Sequence, residues 1–230
     1  MGSMIEVTRP DGKTAPAYHA PASKGGDAPG IVLFEEWWGL DDRIKATADR
    51  LASENFNVIV PDLYRGRHAA TGDEANHLMQ GLDFGDAATQ DGAGAARYLR
   101  EHGAKHVGVM GFCMGGALAM LAVMHGNEFD AASLWYGYPP ADAGDPATIR
   151  VPLQGHWALH DSHFTIEGVE AIEERLKTGN VPYEFHRYDA QHGFYNSGKP
   201  GEGGLGHHHP EYAEMAWRRT VEFFDRTLHS

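Results

Sequence analysis

The sequence predicts an α/β fold, in which a mainly parallel, twisted sheet is covered by helices on both faces. From residue 30 onward, short apolar runs alternate with longer amphipathic segments, and this alternation is typical of parallel strands joined by crossover helices. The chain has 230 residues and no abrupt change in composition, which fits one domain with a sizeable core. We therefore predict a single domain over residues 1–230.

Six strands are predicted from short apolar runs bounded by glycine, proline or charged residues. They are 31–34, 58–60, 107–110, 131–135, 151–154 and 183–188. Proline and glycine mark residues 5–30, where an opening hairpin (5–7 with 17–19) is expected at an edge of the sheet. Met1–Ser3 are interpreted as an added extension before a native Met4, and we leave them out of the fold prediction.

Five helices are predicted from amphipathic segments between these strands. They are 41–54, 86–102, 114–126, 165–178 and 211–228. In the last helix, apolar residues recur at helical spacing and predict a stripe that faces the core. The stripe consists of Met215, Trp217, Val221, Phe224 and Leu228.

The charge balance and the cysteine content exclude several kinds of partner. Lysine and arginine number 19 against 32 aspartate and glutamate residues, a net charge of -13, and this field repels nucleic acid and anionic membranes. The single cysteine forms no internal disulfide, and no apolar run approaches the roughly 20 residues that span a bilayer. We expect a cytoplasmic monomer or small homo-oligomer that acts on a small molecule without a cofactor.

The segment Gly111–Gly116 (GFCMGG) joins a predicted strand to an alanine-rich helix. This order matches the nucleophile elbow G-x-S-x-G, with Cys113 in the serine position. Side chains at Gly111 and Gly115 would crowd so sharp a turn. The turn places Cys113 at a helix N-terminus, where amide groups and the helix dipole favour a thiolate. We predict Cys113 as the nucleophile of an α/β-hydrolase; the alternative is a small, buried and inert cysteine.

A cysteine nucleophile needs a base, and α/β-hydrolases place an acid and then a histidine after the nucleophile. His192 follows the last predicted strand, in the glycine-rich segment 189–210, which we predict to be a long functional loop. Asp161 follows the preceding strand and is the only carboxylate between Arg150 and Glu167. Asp189 is the alternative acid, although it precedes His192 by only three residues.

With these residues in place, the chain resembles the dienelactone hydrolase (carboxymethylenebutenolidase) family over most of residues 29–228. The matching motifs are EWWGL at 36–40, PDLY at 61–64, GFCMGG at 111–116, GH at 155–156 leading to Asp161, and YDAQHGFYN at 188–196.

The resemblance implies a role for Glu36. In this family a glutamate contacts the resting thiol until substrate displaces it, and the pattern E-x-x-G selects Glu36 over its neighbour Glu35. The resemblance further implies an oxyanion hole made by the backbone amides of Trp37 and Met114.

One departure from the family concerns the substrate. Family members bind a substrate carboxylate with two arginines; here one position is Asn196, and the segment 70–86 that normally carries the other has no arginine. An uncharged or bulkier ester is therefore as compatible with this sequence as an anionic lactone. The candidate pocket residues are Trp38, Tyr64, Tyr136, Tyr195 and Asn196, with core packing as the alternative for the tryptophan and the tyrosines.

His207–His209 stand in the glycine-rich loop ahead of Pro210. Metal sites take ligands from spaced positions on firm supports, so we predict no metal site here and interpret these histidines as part of a solvated loop.

The sequence thus predicts hydrolysis of a small ester or lactone through a thioester on Cys113. The alternatives are a carboxylesterase, thioesterase or peptidase-like enzyme of the same fold, or a binding protein or thiol sensor without turnover.

Overall fold

The structure, a computed structural model, describes residues 2–25, 27–198 and 204–229. In these residues one sheet has the strand order β1-β2-β4-β3-β5-β6-β7-β8. Its strands are β1 Ser3–Thr8, β2 Thr14–Ala20, β3 Gly30–Phe34, β4 Asn57–Pro61, β5 Val107–Phe112, β6 Ala131–Trp135, β7 Leu153–Ala158 and β8 Tyr183–Tyr188. β3 to β8 run parallel, while β1 and β2 form the predicted antiparallel hairpin at one edge.

Helices cover both faces of the sheet, which confirms the predicted fold class. α4, α5 and α6 pack on one face, and α1 and α7 on the other. The helices are α1 Asp42–Ser53, α2 Gly72–Gln80, α3 Phe84–Asp86, α4 Gly92–Glu101, α5 Met114–His125, α6 Ile166–Thr178 and α7 Pro210–Leu228. A π-helical turn, Ala87–Asp91, joins α3 to α4. No helix in the described ranges is both long and apolar enough to cross a membrane.

β7 begins two residues later and ends four residues later than predicted. Gln154 and His156 interrupt the apolar run, yet both are fully buried. The His156 ring bonds the Tyr188 hydroxyl at 2.8 Å and the Thr220 hydroxyl at 2.9 Å, so burying these polar groups leaves no unpaired ring nitrogen. The strand therefore continues to Ala158 and delivers Asp161 three residues beyond its end.

Three further predictions about the fold are corrected. Helix α2 was not predicted, although Thr71 and Glu74 form a capping box at its start. Met215 is 43% exposed and does not belong to the stripe; α7 instead buries residues such as Ala216, Thr220 and Phe223. Ser3, left out of the fold prediction, is the first residue of β1 and pairs with His19.

The order in which strands are added to the sheet reverses between β3 and β5. Active sites of open α/β sheets are expected at such a point. From β3 the chain crosses to β4 on one side, whereas β5 is followed by β6 on the other. Phe34 pairs with Gly111, so residues 35–37 and 112–114 leave neighbouring strand ends at the same height. The fold thus brings two of the predicted site segments together.

Candidate active site

Cys113 lies in a sharp turn between β5 and α5. Its backbone has φ 55° and ψ -116°, a strained conformation of the kind found at functional sites. A Cβ atom on Gly111 would lie 2.2 Å from the Gly115 carbonyl oxygen, and one on Gly115 would lie 2.5 Å from the Phe34 carbonyl oxygen. The glycines of the motif are therefore required by backbone contacts, as the sequence pattern predicts.

Cys113, His192 and Asp161 form a hydrogen-bonded chain. The Cys113 Sγ lies 3.1 Å from His192 Nε2, and His192 Nδ1 lies 2.7 Å from Asp161 Oδ2. The other Asp161 oxygen, Oδ1, accepts the backbone amides of His163 and Phe164 at 2.8 and 2.9 Å. These bonds hold the carboxylate in place and, through it, the plane of the imidazole ring.

The alternative acid, Asp189, bonds elsewhere. Its Oδ1 lies 2.7 Å from His160 Nε2, and both of these side chains are exposed. Asp161 is therefore the carboxylate that the structure pairs with His192.

The electrostatic setting of His192 favours its protonated form. Burial lowers the His192 pKa, but the hydrogen bonds to Asp161 and Cys113 and the charges of both outweigh burial and raise the pKa to about 10. Because part of this increase comes from negative charge on Cys113, the setting favours an imidazolium when the sulfur is a thiolate. Aromatic contacts with Tyr136 and Phe164, at ring-centre distances of 5.2 and 5.5 Å, restrict its motion.

The backbone amides of Trp37 and Met114, which the family resemblance assigns to an oxyanion hole, lie on the segments that follow β3 and β5. Within the described part of the chain, the N–H groups of Met114 and Trp37 have no hydrogen-bond acceptor. Met114 is the first residue of α5, and the start of a helix leaves such donors unpaired. Trp37 follows β3, directly beside the elbow.

Glu36 adjoins this centre, but its hydrogen bond goes to Asn196. Its Oε2 accepts the Asn196 side-chain amide at 2.5 Å; the thiol contact that the resemblance implies is not present, since the sulfur faces His192. Burial raises the Glu36 pKa to about 7, against the opposing effects of His192 and Asn196. Glu35 is fully buried, and burial raises its pKa well above the ordinary value.

A cleft of about 480 Å³ begins at Glu36 and runs between α1, the loop after β8 and the start of α7. Trp38, Tyr195 and Asn196, three of the candidate pocket residues, line it. The other two do not. Tyr64 is buried, with its hydroxyl 3.4 Å from the Met114 sulfur, and Tyr136 is buried against His192.

The segment His207–His209 forms hydrogen bonds with the loop that carries His192, a role that the sequence did not indicate. The His207 Nδ1 lies 3.0 Å from the His192 carbonyl oxygen, and the His208 Nδ1 lies 3.2 Å from that of Tyr195. The backbone amide of His209 donates to the Phe194 carbonyl at 2.9 Å. The only sequence signal is that both segments belong to one glycine-rich loop; residues 199–203 of that loop lie outside the described ranges.

Comparison with known proteins identifies the family. A profile of the dienelactone hydrolase family matches residues 15–228. The chain belongs to this family. As a family member it is a hydrolase of esters or lactones, in agreement with the resemblance that its motifs indicate.

Relatives match nearly the whole chain. The protein named usf from Aquifex pyrophilus is 32% identical over 99% of this chain and 100% of its own length. A carboxymethylenebutenolidase from Rhodococcus opacus is 27% identical over 97% of this chain and 91% of its own length. The crystal structure of P91, a dienelactone hydrolase-like promiscuous phosphotriesterase from metagenomic libraries, superposes with a TM-score of 0.85 at 22% identity and 98% coverage of both chains; this likeness concerns the fold.

Gly115→Ala is expected to damage both stability and activity, because the new methyl group would press on the Phe34 and Glu35 carbonyls at 2.5 and 2.7 Å. We expect a loss of about 1–3 kcal/mol in the free energy of unfolding, measured by urea denaturation. Gly81→Ala is the matched control, since a Cβ there meets no atom closer than 3.6 Å. Equal stability of the two variants would contradict the close approach.

His207→Ala is expected to lower kcat about ten-fold with little change in KM or melting temperature, because the carbonyl of His192 loses its partner and the ring shifts. His207→Asn keeps a short N–H donor and should recover most of the activity. His102→Ala, in an exposed turn, serves as the control. If His207→Ala retained full activity, the histidine segment would have no positioning role.

Glu36→Gln is expected to stabilise the protein at high pH only. The folded-state pKa of about 7 exceeds the ordinary 4.5, so the wild-type protein loses stability as pH rises from 4.5 through 7, while the amide does not ionise. We expect a gain of about 1–3 kcal/mol at pH 8 and little at pH 4. Urea denaturation at both pH values measures it, with Glu6→Gln on exposed β1 as control. A gain independent of pH would argue against an elevated Glu36 pKa.

Proposed function

We propose that this protein hydrolyses small esters or lactones through a thioester on Cys113. The observation that carries the proposal is the hydrogen-bonded chain from the Cys113 sulfur through His192 to Asp161, with separations of 3.1 and 2.7 Å. Such a nucleophile, base and orienting acid are the parts that acyl transfer requires. Family membership supports the reaction class.

In the first half of the reaction, the thiolate attacks the carbonyl carbon of the substrate. The negative charge moves to the carbonyl oxygen, which the amides of Met114 and Trp37 bind. The carbon–oxygen bond to the alcohol then breaks, and the Nε2 proton of the His192 imidazolium passes to the departing alkoxide. The products of this half are an alcohol and a thioester, with His192 now neutral.

In the second half, water hydrolyses the thioester. Neutral His192 removes a proton from the water, whose oxygen attacks the thioester carbonyl. The second oxyanion occupies the same two amides. Its collapse releases the acid and restores the thiolate beside the imidazolium. Asp161 keeps Nδ1 hydrogen-bonded throughout and stabilises each cationic state of the ring.

In the proposed mechanism, the His192 imidazolium allows cysteine to act as the nucleophile at a position where α/β-hydrolases commonly have serine. The His192 pKa of about 10 keeps the proton on nitrogen at neutral pH, and the N-terminus of α5 stabilises negative charge on sulfur. A thiolate is a strong nucleophile, but its thioester reacts slowly with water unless the base is well placed. The proposal therefore favours esters with good leaving groups and enol lactones. A cytoplasmic location stays a prediction from the sequence.

Cys113→Ala is expected to lower kcat/KM on 4-nitrophenyl acetate by about 1,000-fold or more, because the covalent route is lost. A matched pair then tests the acid: Asp161→Asn should lose about 100-fold or more, whereas Asp189→Asn should stay within about two-fold. Full activity of Cys113→Ala, or equal losses for the two aspartate variants, would refute the proposed centre.

A stopped-flow experiment distinguishes an enzyme that hydrolyses its thioester from a protein that is acylated once on Cys113 and stays acylated. We expect a burst of one nitrophenolate per protein followed by steady release, because the thioester forms and is then hydrolysed. A burst without later release would instead support a thiol sensor or binding protein on this fold.

A further inference from the structure

We propose that the cleft beside Glu36 binds the acyl arm of the substrate and selects uncharged arms over anionic ones. This inference rests on the proposed function, which it extends to a substrate class. Its basis is that the cleft adjoins the catalytic centre, and that each arginine lining the cleft is paired with a carboxylate that also lines it.

The cleft meets the catalytic centre at Glu36 and Asn196. Glu36 precedes the amide of Trp37, and Asn196 lies four residues after His192 in the same loop. Phe112, the residue before Cys113, forms part of the wall and stacks on Tyr195 at a ring-centre distance of 4.8 Å. A volume of about 480 Å³ falls in the range of small-molecule sites. A substrate chain can therefore extend from the reacting carbonyl along an aromatic wall.

The arm that occupies the cleft is the acyl arm. The leaving oxygen has to lie beside His192 Nε2, which gives it a proton. His192 does not line the cleft, and its ring is packed on its other sides by Tyr136, His163 and Phe164. The substituent directed into the cleft is consequently the one that remains on the carbonyl carbon.

The charges along the cleft are compensated in pairs. Arg43 forms an ion pair with Asp41 at the start of α1. About two turns further along that helix, Arg50 bonds Glu214 of α7 at 2.6 Å and lies 4.1 Å over the Trp217 ring. Glu36 adds a third carboxyl group to these two pairs.

Among the described residues that line the cleft, Arg43 and Arg50 carry the only guanidinium groups, and none is a lysine. The His208 ring nitrogen Nδ1 is engaged with the Tyr195 carbonyl, and the Thr47 hydroxyl donates to the Arg43 carbonyl. A carboxylate on the substrate would therefore enter a cleft where carboxyl groups outnumber guanidinium groups, three to two among the described residues. A neutral amide or ester group avoids this repulsion and can still use the polar side chains.

Two substrates of equal length test this inference. One is the 4-nitrophenyl monoester of adipic acid, which has a free terminal carboxylate. The other is the 4-nitrophenyl ester of the monoamide of adipic acid, which has a terminal carboxamide. For the wild-type protein we expect kcat/KM to be about five-fold higher for the amide, after subtraction of spontaneous hydrolysis.

Glu214→Gln provides the decisive variant, because it leaves the Arg50 guanidinium without its carboxylate partner. We expect this variant to favour the carboxylate substrate more than the wild type does, narrowing the amide-to-carboxylate ratio about three-fold. Glu222→Gln lies further along the same helix and outside the cleft, so it should leave the ratio unchanged. Thermal melting of both variants checks that they are folded.

The outcomes separate this inference from the proposed function. The inference is overturned if the wild-type protein prefers the carboxylate substrate, or if Glu214→Gln does not change the amide-to-carboxylate ratio of kcat/KM. In either case, the proposed function still stands if hydrolysis depends on Cys113. If Cys113→Ala hydrolysed both esters at the wild-type rate, the proposed function would fail first. The inference is supported if the wild-type protein prefers the amide substrate, and if Glu214→Gln reduces this preference whereas Glu222→Gln does not.

Discussion

The contact between three backbone segments at the carboxyl end of the sheet fixes the geometry of the whole site. A Cβ on Gly115 would lie 2.5 Å from the Phe34 carbonyl, and one on Gly137 would lie 1.8 Å from the Cys113 carbonyl. The ends of β3, β5 and β6 are thus in backbone contact around the elbow. Because no side chain separates them, the backbone fixes the segments of Trp37, Cys113 and Met114 relative to one another, and the proposed oxyanion hole depends on this preorganisation.

The hydrogen-bonded chain of Cys113, His192 and Asp161 was predictable from the sequence because its signals are local and ordered. Glycine spacing identified the elbow, and the order of strands along the chain placed Asp161 and His192 on successive loops of one sheet edge. Strands made of apolar runs were found within two residues at each end. The predicted end of β7 was wrong because polar residues are buried there. Gln154 and His156 suggested that the strand had ended, but partners such as Tyr188 and Thr220 lie on other elements. Only the tertiary structure reveals such partners.

The cleft beside Glu36 could not be predicted, because its charge balance depends on ion pairs between residues that are distant in sequence. Arg50 and Glu214 are separated by 164 residues, and nothing in either segment indicates that their charges cancel. Similarly, Tyr64 and Tyr136 resemble pocket residues in sequence but pack around the elbow. The histidines at 207–209 suggested a solvated loop, yet each of them makes a hydrogen bond to a loop carbonyl, at residues 192, 195 and 194. Residue type indicates which bonds a side chain can form, and the fold decides which of them it forms.

Glu36 lies between His192 and the cleft, so its charge affects both. Its pKa of about 7 places its ionisation in the range where the protein is expected to work. When ionised, Glu36 stabilises the imidazolium form of His192 and opposes an anion in the cleft; when neutral, it does neither. An anionic acyl arm would in turn raise the Glu36 pKa and weaken the support it gives to His192. In the proposed mechanism, both the discrimination by charge in the cleft and the proton placement at His192 would therefore depend on one carboxyl group, Glu36.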